Sequence, residues 1–184
     1  MALSKIQSES INLADDFTFT GTVAGAGGIT VADQWRLTAS TSFVTDTYTN
    51  ITANWERNDS TGFGYIGTGM TQSSGVFTFP STGYYLINAV GSFQQNSNGY
   101  SYANSLGIKT TINNSTYTIQ TSTFTFGESK APGVHNDSSS EFIFDVTSTA
   151  NCKVMFAHFG TNGIVRGSTS ENTTHVTFIR LGDT

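Results

Sequence analysis

The chain has 184 residues, a formal net charge of −5, and only 8 Lys plus Arg against 13 Asp plus Glu. Those few cations are scattered singly, which excludes the dense basic footprint of a nucleic-acid binder, and no apolar run approaches the roughly 20 residues of a membrane span. One cysteine, Cys152, excludes an internal disulfide framework or a zinc–thiolate cluster. Charged residues are 11% of the chain, while 30 Thr, 22 Ser, 19 Gly and 14 Asn make up nearly half of it. Apolar residues at 36% and aromatics at 12% still suffice for a core, so few charges do not mean disorder.

Residues 1–34 differ from the rest. Met1 to Ser10 has no apolar core of the secretory type. Phe17-Thr18-Phe19-Thr20 alternates with the strand period, and Gly25-Ala26-Gly27-Gly28 then interrupts any regular element. This segment reads as an extended attachment arm, in which Leu13, Phe17, Phe19 and Val23 require burial that one short strand cannot supply. A disordered N-terminus is the alternative.

From Trp35 onward (35–184) the pattern is strands and turns. Strands are expected at Ser42–Val44, Ile51–Trp55, Val76–Phe79, Tyr84–Phe93, Leu106–Ile112, Tyr117–Phe126, Glu141–Thr147, Lys153–Phe159 and Thr174–Leu181. Turn residues separate them, as in Asn58-Asp59-Ser60-Thr61-Gly62 and Thr161-Asn162-Gly163. Many short strands without a helical period imply an all-β sandwich or barrel.

Two strands are apolar on both faces. Tyr85, Ile87, Ala89, Gly91 and Phe93 oppose Tyr84, Leu86, Asn88, Val90 and Ser92. Met155, Ala157 and Phe159 oppose Val154, Phe156 and His158. A lone sandwich keeps one face of each strand wet, so a second subunit is the expected cover. Packing under the arm or under a long loop is the alternative. Tyr84, Tyr85, Leu86, Ile87, Phe156, His158 and Phe178 are thus candidates for the subunit interface or the core.

The stretch Gly75-Val76-Phe77-Thr78-Phe79-Pro80-Ser81-Thr82-Gly83-Tyr84-Tyr85-Leu86-Ile87 resembles the signature of the complement first-component globular head, within the tumour-necrosis-factor-like (TNF-like) jelly-roll superfamily. Gly75, Phe77, Thr78, Pro80, Gly83 and Tyr85 fall on the pattern. Phe63-Gly64-Tyr65, Ser105-Leu106-Gly107-Ile108-Lys109 and Val176-Thr177-Phe178-Ile179-Arg180-Leu181 follow the family's flanking order, with Ile179 where the family has Gly. The resemblance spans residues 36–184. It implies a jelly-roll β-sandwich of about ten antiparallel strands, assembled as a homotrimer through apolar faces. Physically the motif is a corner: Pro80 stops a ladder and Gly83 permits the turn at positive φ.

Ser10-Ile11-Asn12-Leu13-Ala14-Asp15-Asp16-Phe17-Thr18-Phe19-Thr20-Gly21-Thr22-Val23 resembles the start of structural proteins of marine tailed bacteriophages. That resemblance implies a virion surface protein, either capsid decoration or a fibre head that contacts a host, with other virion proteins as partners. Exposed loops would then meet host glycan or protein, with Tyr100 and Tyr102 placed to stack on sugar rings. A free secreted binding module of the complement-head type is the alternative.

Candidate chemistry is sparse. His135, His158 and His175 are widely spaced, and His158 alternates with apolar residues as a core or interface histidine does. Three copies of a histidine about a threefold axis would offer a metal or pH-sensitive site. No Gly-x-Ser-x-Gly, paired His/Cys or phosphate loop occurs. Asp137, Glu141 and Asp145 lack calcium-loop spacing. No enzyme, cofactor or metal site is expected.

Overall fold

The computed structural model describes residues 28–42, 46–95, 101–127, 134–160 and 163–184. Among them every regular element is a strand. In chain order these are β1 (Ala32–Leu37), β2 (Thr41–Ser42), β3 (Thr49–Asn50), β4 (Trp55–Arg57), β5 (Thr71–Ser73), β6 (Val76–Thr78) and β7 (Gly83–Gln95). They continue as β8 (Ser101–Thr111), β9 (Thr118–Thr121), β10 (Thr125–Gly127), β11 (His135–Val146), β12 (Lys153–Phe159), β13 (Gly163–Val165) and β14 (His175–Gly182). The arm residues Leu13, Phe17, Phe19 and Val23 lie outside the described residues, as does Tyr100; Tyr102 falls in β8.

The strands form two antiparallel sheets. One is built around β7, which pairs with β11 on one edge and with β14 and β13 on the other; β1 and β4 follow β14, and β2 follows β13. The other runs β10-β8-β12-β6-β5, with β9 also on β8 and β3 also on β12. The two sheets face each other as a jelly-roll sandwich.

Strand period explains the core. Along β7, Tyr85, Ile87, Ala89 and Phe93 are fully buried, while Tyr84, Leu86, Asn88 and Val90 point out of the sandwich. Phe77 of β6 is the hub. Its ring lies 5.5 Å from Trp35, 5.6 Å from Trp55, 5.4 Å from Phe156 and 5.4 Å from Phe178. The contacts with Trp35, Trp55 and Phe156 are edge-on and that with Phe178 is tilted, and such contacts add to the burial of each ring. The corner expected from the sequence is present: β6 ends before Pro80, and Gly83 takes φ 139° at the start of β7. Gly75 has φ 78°, and a Cβ there would collide with the Ile51 carbonyl oxygen.

Several elements differ from expectation. β1 begins at Ala32, inside the segment assigned to the arm, because Asp33 and Arg36 are buried against partners far away in sequence. Asp33 pairs with Arg57, and Arg36 with Glu56 and Asp59. The strand expected over Ile51–Trp55 starts only at Trp55, since Asn54 takes φ 64°. Tyr117–Phe126 splits into β9 and β10, and Gly163 begins a strand.

The expected cover for β12 is also corrected. Both its faces are buried, but among the described residues the chain covers its own outward face. Tyr48 packs on Phe159 at 5.2 Å, and Phe124 packs edge-on to the same ring at 5.5 Å. Phe156 and His158 point into the core. The apolar pattern of Lys153–Phe159 therefore carries no argument for a second subunit.

Candidate functional site

The outward face of the β1-β14-β7-β11 sheet is the surface that its residues single out. Direct cross-strand pairing lays side chains in rows across the four strands. One row is Ala32, Ile179, Leu86 and Ile143, each paired with the next. All four are apolar, and Ile143 is 59% exposed. Tyr84 (41% exposed) stands beside Leu86 along the same face, and Leu181 (54% exposed) follows on β14. A contiguous apolar strip of this kind marks an interaction surface more often than scattered single residues do.

The neighbouring row is polar: Gln34, Thr177, Asn88 and Glu141. Its groups largely satisfy each other. Gln34 Nε2 donates to Thr177 Oγ1 at 3.0 Å, and Asn88 Nδ2 donates to Glu141 Oε1 at 3.1 Å and Ser139 Oγ at 3.2 Å. Gln34 Oε1 accepts from Asn58 Nδ2 at 3.1 Å and Asn172 Nδ2 at 2.6 Å. The third row places Arg36, His175, Val90 and Ser139 in line. Arg36 is 1% exposed, with Nε 2.7 Å from Glu56 Oε1 and Nη1 2.9 Å from Ser60 Oγ. The face is thus adhesive at one end and closed by its own hydrogen bonds at the other.

The candidate interface residues divide accordingly. Tyr84 and Leu86 lie on this face; Tyr85, Ile87, Phe156 and Phe178 lie in the core. Tyr85 Oη donates to the Ser81 carbonyl at 3.1 Å, which anchors the corner. Ala32, Ile143 and Ile179 were not singled out from sequence. Ile143 sits between the inward residues Phe142 and Phe144, so strand alternation alone could have found it.

The histidines do not converge. His135 is exposed at the start of β11. His158 is 3% exposed on the core side of β12, and burial lowers its pKa to about 4. His175 lies half-buried on β14, with Nδ1 3.0 Å from the Asn172 carbonyl oxygen. Burial lowers its pKa, and hydrogen bonds to the Asn172 and Thr173 backbone oppose that shift. Cys152 is fully buried. Asp137, Glu141 and Asp145 share one face of β11, but four residues of strand separate neighbours by about 13 Å. Among the described residues no group of three or more His, Cys, Asp or Glu could hold a metal ion.

No protein-family model matches the chain, and no curated protein sequence matches it. Solved structures do match. Murine APRIL at pH 8.0 superposes with a TM-score of 0.57 at 13% identity, over 82% of this chain and 98% of that one. Murine APRIL at pH 5.0 gives 0.58 at 14% identity, with the same coverage. Eiger TNF from S. frugiperda gives 0.60 at 11% identity, over 85% of this chain and 96% of that one. Identities this low speak for architecture, and the architecture is a TNF-like jelly roll.

Proposed function

We propose that the chain is a non-enzymatic assembly and binding module that works as a homotrimer. The observation carrying this reading is the outward-facing apolar row Ala32–Ile179–Leu86–Ile143, partly exposed and continuous across four strands of one sheet. Burying such a row contributes roughly 25 cal/mol per Å² of apolar surface removed from water. A second copy offering the same strip supplies an apolar partner without a new sequence. The similarity to the jelly rolls of APRIL and Eiger TNF supports the architecture that this assembly requires.

Light scattering tests it. The expected mass is three times the 19.7 kDa of one chain. Ile143→Glu, at a position already exposed, should reduce that mass to a single chain while the β-sheet circular dichroism persists. A wild-type mass of one chain, or an unchanged mass in the variant, would reject the assembly.

Within this reading the finer role we propose is a virion surface protein of a tailed bacteriophage, held by residues 1–34 and acting as capsid decoration or as a fibre head. The support is the resemblance of Ser10–Val23 to phage structural proteins, together with the charge-poor, Thr-, Ser- and Asn-rich composition. Imaging purified particles separates the roles: density on the capsid favours decoration, density at the tail favours a fibre. Protein found in the medium but not in particles would favour a free binding module.

A further inference from the structure

At one edge of the sandwich the two sheets part. β2 ladders to β13 in the first sheet and β3 to β12 in the second, and among the described residues each is laddered on one edge only. The gap between them is a groove of about 340 Å³, within the size range of small-ligand sites. Thr41, Ser42, Thr49 and Thr52 line it, each a hydroxyl-bearing residue, together with Asn50 and Asn54. Ile51 and Ala53 add apolar surface, and the His158 ring lies against it.

We propose that this groove binds a ring of a neutral carbohydrate. Hydroxyls and amides both donate and accept, which matches a sugar's alternating hydroxyls. The threonine methyls and the exposed Ala53 suit the C–H faces of the ring. Among the described residues that line it none carries a full charge at neutral pH, since the buried His158 imidazole titrates only near 4. An ionised ligand would lose water there without a counter-charge. Lys109 Nζ donates to Asn50 Oδ1 at 2.8 Å but is not among the lining residues. A peptide added as a strand is a poorer fit, because β2 and β3 are two residues each and offer only a very short ladder. This site does not depend on the assembly proposed above.

Saturation-transfer NMR on the full chain tests it, with methyl glycosides of glucose, galactose, mannose and N-acetylglucosamine as neutral probes and glucuronate as the charged one. At least one neutral glycoside should receive transfer at its ring protons. Ala53→Trp, at an exposed groove position, should reduce that transfer at least about tenfold. Thr49→Val, which exchanges an exposed hydroxyl for a methyl, should reduce it less. Ile143→Glu, on the other sheet's outward face, should leave it intact. No transfer to any neutral glycoside, equal transfer in Ala53→Trp with an unchanged melting temperature, or stronger transfer to glucuronate would each overturn the assignment.

Discussion

The ring of Tyr48 rests on Gly107: a Cβ added to that glycine would lie 2.9 Å from Tyr48 Cε1 and 3.1 Å from the tip of Ile119. The contact closes the outward face of β8 and β12 with the chain's own side chains. Gly107→Val should therefore push Tyr48 off its seat and destabilise the fold by about 1–3 kcal/mol, as overpacking does. Urea unfolding measures it; an unchanged midpoint would mean that the loop bearing Tyr48 yields freely.

Asp33 should prove costlier. Its buried carboxylate accepts from Met70 N at 2.7 Å, Gln34 N at 2.9 Å, Trp35 Nε1 at 3.0 Å and Arg57 Nε at 3.0 Å. Asp33→Ala strands these donors, and the Arg57 guanidinium, stacked on Trp35 and Tyr65, loses its counter-ion. The expected loss is about 3–5 kcal/mol. Asp33→Asn keeps an acceptor and should cost less. Guanidinium unfolding of the two variants orders them.

Acid should weaken the fold through His158. Burial lowers its pKa from 6.5 to about 4, so the folded chain favours the neutral ring and the unfolded chain takes up the proton first. This stability is complete above pH 6.5 and is lost as pH falls from there towards about 4. Its size is about 3 kcal/mol over the window. His175, also lowered by burial, acts in the same direction. Unfolding midpoints at pH 7 and pH 4.5 should differ less in His158→Gln than in the wild type, the carboxylate contribution being common to both. Equal differences would remove His158 as the cause.

Gly75→Ala should destabilise for a backbone reason. The residue holds φ 78° and its α-carbon faces the Ile51 carbonyl, so an added methyl is both strained and obstructed. A loss of at least about 1 kcal/mol is expected. A melting temperature equal to the wild type would show that the turn between β5 and β6 adjusts without cost.

Strand period and turn chemistry are local, so the grouping of Tyr85, Ile87, Ala89, Gly91 and Phe93 on one face could be read, as could the Pro80–Gly83 corner. Which face of that strand turns inward could not, because both are largely apolar. β1 was not legible, since its polar residues Asp33 and Arg36 are buried by partners more than twenty residues away. β12 misled for the opposite reason. A face that is apolar in sequence does not say what covers it, and here the cover includes Tyr48 and Phe124. The outward row of the other sheet was half-read: Leu86 was visible in its strand, but its alignment with Ile143 and Ile179 exists only through register.

The meeting of both indoles on Phe77 also gives the protein an optical property. Trp35 and Trp55 are the chain's 2 tryptophans, and each stands edge-on to that one ring. Tryptophan fluorescence, excited selectively, therefore samples a single point between the sheets. It will follow the melting of that point and stay nearly silent when Leu86 and Ile143 gain or lose a neighbour.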